Sequence, residues 1–161
     1  KIILPGVGSY DRAMKSLKSF DLIEVLNECV YKKNIPILGI CLGAQILGTS
    51  SEEGDEKGLG FIEMEVKKFK NIELPIPHMG WNEVKPTKKS NIFKNLDSEK
   101  RFYFVHSYYL KPKNDEDIIA VSNYGHTFAS AVSKNNVFGV QFHPEKSHRF
   151  GLQLLKDFFC E

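Results

Sequence analysis

Cys41 lies between Gly39 and Gly43, directly after an apolar run and before a segment with helical spacing. A sharp turn from a buried strand into a helix uses small residues, because the nucleophile there takes a strained backbone conformation. The helix supplies N–H groups and a positive dipole end, which favour a thiolate and a developing oxyanion. The glycines have no packing purpose at a strand end, so we predict a reactive cysteine rather than a buried apolar one.

His143 and Glu145 stand two positions apart at the end of another apolar run. Both side chains can project to one side if the chain stays extended through Pro144. A cysteine nucleophile needs a base that takes its proton and returns it to the leaving nitrogen, and the base needs a partner that fixes its tautomer. Together with Cys41, this pair predicts a Cys41–His143–Glu145 catalytic triad.

The elements that must position these residues follow the order strand, helix, strand, helix in the first third of the chain. Short apolar runs predict strands at residues 2–4, 35–40, 61–66, 81–84, 102–105, 118–122, 128–132 and 137–142. Helical spacing predicts one or two helices before residue 32 and further helices at residues 42–47 and 150–159. This order indicates a three-layer, flavodoxin-like α/β fold, with a mostly parallel central sheet flanked by helices and mixed at one edge by the later strands.

Composition narrows the class of protein. The 161 residues suggest a single domain over residues 1–161, and the formal net charge of +2 does not indicate a nucleic-acid-binding surface. No apolar run is long enough to span a bilayer and no segment resembles a signal peptide, so we expect a cytoplasmic protein without a membrane partner. The three cysteines are widely spaced, which predicts free thiols rather than disulfides or a zinc site.

Three motifs stand in the order and spacing of a known family. They are PGVG at residues 5–8, GICLGAQ at 39–45 and GVQFHPE at 139–145. In this respect the chain resembles the class I, or triad, glutamine amidotransferases over essentially its whole length. Four further motifs resemble those of the glutaminase subunits of imidazole glycerol phosphate synthases: SSEEG at 50–54, GLGFI at 58–62, PHMGWNEV at 77–84 and FVHSYY at 104–109.

The resemblance implies a glutaminase reaction, in which Cys41 attacks the side-chain amide of glutamine and a glutamyl thioester is then hydrolysed. It also implies an oxyanion hole from backbone N–H groups of Gly6, Val7, Gly8 and Leu42. The implied glutamine-binding positions are Gly43, Gln45, Glu53, Ser107 and Tyr108. Glu53 matches the family position that holds the substrate ammonium group, with Glu52 as its close rival.

The resemblance further implies a partner. Met79, Trp81 and Asn82 match the family surface that faces a cyclase subunit, which would receive ammonia within a heterodimer for histidine biosynthesis. The alternative for Trp81 is a partly buried aromatic side chain on a short strand, and the two interpretations carry equal weight. No motif implies a metal ion or another cofactor.

The sequence leaves several alternatives open. The family opens with a strand bearing a DYGxGN-like motif and a helix, so we expect that the segment before Lys1 is missing from this chain. Segments 48–54 and 146–151 are closer to a paralogous branch that supplies ammonia in bacterial surface-polysaccharide or nonulosonic sugar pathways. A non-catalytic regulatory module on the same fold and a cysteine hydrolase without a partner are less favoured, because the triad residues and the PHMGWNEV segment are all present.

Overall fold

The computed structural model describes residues 1–70, 72–96 and 100–160. The α-helices are α1 (Tyr10–Ser19), α2 (Leu22–Asn27), α3 (Leu42–Ile46) and α4 (His148–Phe159). The strands are β1 (Ile2–Leu4), β2 (Ile37–Ile40), β3 (Ser50–Ser51), β4 (Met64–Lys68), β5 (His78–Glu83), β6 (Lys85–Pro86), β7 (Arg101–His106), β8 (Tyr108–Pro112), β9 (Ile118–Tyr124), β10 (His126–Lys134) and β11 (Val137–Val140). A π-helical turn, Glu28–Lys32, continues α2, and short 3₁₀ turns span Asn91–Phe93, Asp115–Asp117 and Pro144–Lys146.

The main sheet has the strand order β1-β2-β11-β10-β8-β4-β3, with β9 pairing β10 and β6. The part that carries the predicted nucleophile and base is parallel, because β2 lies between β1 and β11 and pairs with both in parallel. In this register Val140 is opposite Ile40. The segments that begin at Cys41 and Gln141 therefore leave the sheet side by side.

The predicted α/β fold class is confirmed, and the sheet is mixed. Its antiparallel part is larger than the mixed edge expected from the sequence, since β10 pairs antiparallel with β8, β9 and β11, and β4 pairs antiparallel with β8. The hairpin turn at Gly125, with φ of 73°, explains part of this, because a two-stranded hairpin can only be antiparallel.

Helices cover both faces of the sheet. Successive residues of a strand point to opposite faces, so Leu38 packs with Leu154 and Phe158 of α4, whereas Ile37 packs with Tyr10 and Met14 of α1. Burial at all four positions of β2 and of β11 follows from this three-layer arrangement. Within the described residues, none of the helices has the length and apolar character needed to cross a membrane.

A separate two-stranded sheet lies beside the main one. Strands β5 and β7 pair antiparallel from His78 opposite His106 to Glu83 opposite Arg101. An isolated bridge joins Tyr103 of β7 to His143, whose N–H donates to the Tyr103 carbonyl oxygen at 2.9 Å. The small sheet therefore contacts the end of β11, where the predicted base lies.

Candidate active site

Cys41 forms a sharp turn between β2 and α3. Its φ of 53° and ψ of −109° lie in a region that non-glycine residues rarely adopt, at a cost of about 1–3 kcal/mol. The flanking hydrogen bonds hold this conformation: the Cys41 N–H donates to the Val140 carbonyl oxygen at 2.8 Å, and the Cys41 carbonyl oxygen accepts from the Gln45 N–H at 3.1 Å. The predicted elbow is therefore present in the backbone.

The two glycines beside Cys41 are required by packing, so the expectation that they serve no packing purpose is wrong. A Cβ atom at Gly39 would lie 2.6 Å from the Gly43 carbonyl oxygen and 2.7 Å from the Ala44 backbone. A Cβ atom at Gly43 would overlap the Leu4 carbonyl group. This close approach brings the end of β1, and the segment 5–8 that follows it, against the start of α3.

His143 and Glu145 form a hydrogen-bonded pair, with 2.6 Å between His143 Nδ1 and Glu145 Oε1. The Pro144–Lys146 turn brings the carboxylate back toward the ring, and the Ser147 hydroxyl donates to the His143 carbonyl oxygen at 2.6 Å. His143 is 2% exposed, and its Nε2 has no hydrogen-bond partner among the described residues. A neutral ring whose Nδ1–H is held by a carboxylate leaves Nε2 free to accept a proton.

The structure brings most of the predicted site residues around one pocket of about 350 Å³. The predicted residues in its lining are Val7, Gly8, Cys41, Leu42, Gln45, Glu53, Ser107, Tyr108 and His143. Gly6 and Glu145 line an adjoining pocket of about 270 Å³, which shares Val7 and His143 with the first. Gly43 lines neither pocket and instead packs against Leu4.

The Cys41 thiol is 8% exposed, and burial raises its pKa to about 11. The Leu42 N–H lowers the pKa, the Glu145 charge raises it, and the Gln141 amide and the Lys146 charge lower it, but burial is the largest effect. The sulfur lies 3.8 Å from Gln141 Nε2 and 3.9 Å from the Val105 carbonyl oxygen. The resting cysteine is therefore a neutral thiol at neutral pH, and its attack on a substrate requires a base.

The two neighbouring glutamates, Glu52 and Glu53, have different surroundings. Glu53 lines the pocket, and its Oε2 accepts from the Tyr10 N–H at 2.9 Å. Glu52 accepts from the Lys68 N–H at 2.9 Å and pairs with the Lys70 ammonium at 3.1 Å, and these contacts lower its pKa. Glu52 is thus satisfied on the surface, and the geometry favours Glu53 as the group available to a ligand.

Gln141 is a site residue that the sequence analysis did not single out. It is fully buried, and its side-chain carbonyl oxygen accepts from Gln45 Nε2 at 3.2 Å while its own amide lies beside the Cys41 sulfur. Gln45 Nε2 also donates to the Tyr108 carbonyl oxygen at 3.3 Å. The sequence feature that indicates Gln141 is its position two residues before His143, which places both side chains on the same side of an extended segment.

The three residues predicted to face a partner lie on both sides of β5. Met79 and Trp81 are 61% and 42% exposed, and the indole stacks on the His148 ring with 5.5 Å between centroids and 10° between planes. Asn82 faces the other side of the strand, where its Nδ2 donates to the Asn123 carbonyl oxygen at 2.8 Å. Met79 and Trp81 therefore share an exposed face that the Asn82 side chain does not join.

No group of three or more His, Cys, Asp or Glu side chains suited to a metal ion occurs within the described ranges of the chain. The arrangement of Cys41, His143 and Glu145 can perform nucleophilic attack with proton transfer on a carboxamide.

Comparison with known proteins supports this chemistry. The family model described as glutamine amidotransferase class-I matches residues 1–161. The chain is 51% identical over 159 residues to imidazole glycerol phosphate synthase subunit HisH 2 of Pseudomonas aeruginosa, covering 98% of this chain and 79% of that relative. It is 52% identical over 159 residues, with the same coverage, to subunit HisH 2 of Methanococcus maripaludis.

Among solved structures, the fold is similar to that of a GMP synthase subunit from Thermoplasma acidophilum. The TM-score is 0.68 at 24% identity, and the match covers 98% of this chain and 70% of that one. A glutamine amidotransferase from Thermotoga maritima gives a TM-score of 0.66 at 21% identity, covering 99% of this chain and 61% of that one.

The chain therefore belongs to the class-I glutamine amidotransferase family. Within that family, it is similar at about half identity to HisH subunits of imidazole glycerol phosphate synthase, including subunit HisH 1 of Campylobacter jejuni at 50% over 160 residues. That similarity extends over 98% of this chain.

Proposed function

We propose that this chain is the glutaminase subunit of an imidazole glycerol phosphate synthase. It hydrolyses glutamine to glutamate and ammonia, and it passes the ammonia to a cyclase subunit. The observation that carries the proposal is that Cys41, in its strained backbone conformation, and His143, hydrogen-bonded to Glu145, line the same pocket. The similarity to the HisH subunits supports histidine biosynthesis as the pathway.

In the first step the Cys41 sulfur attacks the carboxamide carbon of glutamine as its proton passes to His143 Nε2. The proton transfer must accompany the attack, because the buried thiol is neutral at rest. Backbone N–H groups of Leu42 and of the segment 6–8 stabilise the oxyanion, and each such donor is worth about 3 kcal/mol. Glu145 accepts the Nδ1–H and stabilises the imidazolium ion.

In the second step the carbon–nitrogen bond breaks and the proton on His143 moves to the leaving nitrogen, which departs as ammonia. The product is a glutamyl thioester on Cys41. Water then adds to the thioester carbon while His143 Nε2 takes one of its protons. The carbon–sulfur bond breaks, the proton on His143 passes to the Cys41 sulfur, and glutamate is released. The buried Nε2, which has no hydrogen-bond partner among the described residues, suits a group that alternates between base and acid.

The pocket lining suggests how glutamine is held. The Glu53 carboxylate has one oxygen committed to the Tyr10 N–H, and its charge remains available to the substrate ammonium group. Ser107 and Tyr108 form the wall between β7 and β8 that contacts the rest of the amino acid. Gln45 supports this wall from behind through the Tyr108 carbonyl oxygen.

The exposed face of β5 suits the cyclase subunit. Met79 and Trp81 offer apolar anchors of the kind that form the centres of protein interfaces. A sealed interface keeps ammonia from becoming the non-nucleophilic ammonium ion before it reaches its acceptor. The segment 5–8 ends in Gly8, with φ of 105°. Because glycine has no side chain, the backbone there can adopt a different conformation when the partner binds.

The test is glutamate release by the chain co-expressed with its cyclase subunit, with and without the phosphoribosyl substrate of the cyclase. We expect stimulation by that substrate, and complete loss of glutamate release in Cys41→Ala but not in the matched Cys29→Ala variant. An unchanged rate in Cys41→Ala would contradict the mechanism. A Cys41-dependent rate that the cyclase substrate does not stimulate would assign the ammonia to a different synthase.

A further inference from the structure

Two buried histidines outside the triad form a direct hydrogen bond. His78 Nδ1 lies 2.9 Å from His106 Nε2, and the two residues are opposite each other in the β5–β7 pair. His106 Nδ1 lies 2.6 Å from the Tyr108 carbonyl oxygen, and His78 Nε2 lies 3.2 Å from Asn82 Nδ2. A continuous polar chain therefore runs from Asn82 to the wall of the glutamine pocket.

The direction of every hydrogen bond in this chain is fixed by its ends. A carbonyl oxygen can only accept, so His106 carries its proton on Nδ1 and presents Nε2 as an acceptor. His78 must then donate from Nδ1, and its Nε2 accepts from the Asn82 amide. Both rings are neutral in this arrangement, and burial lowers their pKa values, to about 4 for His78 and about 3 for His106.

Aromatic side chains hold both rings in place. His78 stacks between Tyr124 and Phe104, with centroid distances of 4.0 and 4.7 Å. His106 packs against Phe69 and Phe128, each with 5.4 Å between centroids. His78 is 2% exposed and His106 is 6% exposed. Burying two imidazole rings among apolar side chains costs free energy unless their nitrogens form hydrogen bonds. The hydrogen bonds from Asn82 to Tyr108 therefore have one favourable arrangement.

The Tyr108 carbonyl group links this series of hydrogen bonds to the nucleophile Cys41. It accepts from His106 on one side and from Gln45 Nε2 on the other, and Gln45 continues through Gln141 to the Cys41 sulfur. Tyr108 also lines the pocket itself. Whatever fixes the Tyr108 peptide therefore fixes the distance between the pocket wall and Cys41.

We propose that His78 and His106 are positioning residues for glutamine, which hold the Ser107–Tyr108 wall at the correct distance from Cys41 through the Asn82–His78–His106–Tyr108 hydrogen bonds. This inference rests on the proposed glutaminase function. His78 and Asn82 lie on the inner side of β5, whose outer side carries Met79 and Trp81. A partner that contacts the outer side thereby also steadies the pocket wall.

The experiment measures the glutamine concentration that half-protects Cys41 from alkylation by iodoacetamide, in the chain co-expressed with its cyclase subunit. The Cys41 peptide is followed by mass spectrometry, so turnover is not needed for the readout. His106→Leu removes the donor to Tyr108, His106→Asn keeps a donor at that position, and His78→Phe keeps the ring stack while removing the donor to His106. His126→Leu is the matched control, because His126 packs on Phe69 at 5.3 Å and its Nε2 has no hydrogen-bond partner in the described part of the chain.

We expect His106→Leu to raise the half-protecting concentration about tenfold, the effect of losing one buried hydrogen bond. His78→Phe raises it about threefold, as expected for an indirect contact. His106→Asn restores most of the loss. The alkylation rate without glutamine is measured for every variant, so that a change in Cys41 reactivity is separated from a change in glutamine protection. His126→Leu leaves glutamine protection unchanged.

Two results would overturn the inference alone: normal protection in both His106→Leu and His78→Phe, or an equal loss in His126→Leu. Glutamine that fails to protect the unsubstituted chain would instead overturn the proposed function, and this inference with it. Urea unfolding of each variant separates a loss of folding from a loss of glutamine binding. If His106→Leu does not fold, His78→Phe and His106→Asn still decide the question.

Discussion

The Glu53 carboxylate accepts a hydrogen bond from the Tyr10 N–H at 2.9 Å, so the residue matched to the substrate ammonium group also satisfies a free N–H at the start of α1. Tyr10 follows the segment 5–8 by two residues. The carboxylate therefore lies both at the pocket and at the start of the helix that follows the segment proposed to form the oxyanion hole.

Replacing Glu53 separates these two roles. Glu53→Gln keeps an oxygen for the Tyr10 N–H but loses the charge, so we expect the KM for glutamine to rise by about 10- to 100-fold with little change in stability. Glu53→Ala loses both, and we expect an additional loss of about 1 kcal/mol in the free energy of unfolding. Steady-state kinetics and urea unfolding check both statements, and Glu52→Gln is the matched control. Equal KM values for the Glu52 and Glu53 variants would contradict the assignment.

Gly43 is expected to be intolerant of any side chain. A Cβ atom there would overlap the Leu4 carbonyl group, and the backbone of β1 and α3 would have to separate. We expect Gly43→Ala to reduce the free energy of unfolding by about 3 kcal/mol or more, since overpacking against backbone cannot be relieved by rotamer changes. Gly60→Ala is the control: Gly60 has φ of 71° and an open Cβ position, so about 1 kcal/mol is expected. Similar losses in urea unfolding for the two variants would disprove the close approach.

The Cys41 pKa of about 11 predicts the pH dependence of alkylation. Because burial favours the protonated thiol, the thiolate fraction of the free enzyme rises about tenfold per pH unit between pH 7 and pH 10. In urea the same cysteine titrates near the ordinary value of 9.0, so unfolding should speed its alkylation at pH 8 by about 100-fold. Mass spectrometry of the Cys41 peptide measures both rates. Equal rates in the folded and unfolded chain at pH 8 would show that the folded thiol is not protonated by burial.

The buried histidine pair predicts acid sensitivity. The lowered pKa values of His78 and His106 mean that the unfolded chain binds more protons than the folded chain once pH falls below about 6.5. Stability is therefore present above that pH and is lost as pH falls toward 4, by up to about 1.4 kcal/mol per pH unit for each ring. Urea unfolding between pH 7 and pH 4.5 should show a shallower pH slope for His78→Phe than for the unsubstituted chain. An unchanged slope would mean that His78 is not buried as a neutral ring.

Much of this site could be predicted from the sequence, because its elements are local. The elbow at Cys41 and the His143–Glu145 pair each lie within a few residues, and the turn geometry confirms the elbow. What the sequence could not predict depends on contacts between distant segments. The packing role of Gly43 depends on the position of β1 beside α3. The different surroundings of Glu52 and Glu53 depend on contacts with Lys68 and with the start of α1. The inward orientation of Asn82 depends on the pairing of β5 with β7.

The sequence pattern underestimates the extent of antiparallel pairing for the same reason. Strand β8, Tyr108–Pro112, was not predicted, because its tyrosines and Lys111 do not form an apolar run. Its pairing with β4 and β10 fixes it as a strand despite that composition. The tertiary context thus overrides the local pattern where the sheet becomes antiparallel.

The two sides of strand β5 bear on how glutaminases acquire new partners. The outward side chains of Met79 and Trp81 on β5 do not line the pocket, whereas the inward side chains of His78 and Asn82 form hydrogen bonds behind the pocket wall. Selection for a new ammonia-consuming partner can therefore rewrite one side of β5 while the other side is retained. A single glutaminase design can in this way be inherited by lineages whose synthases share no recognition surface.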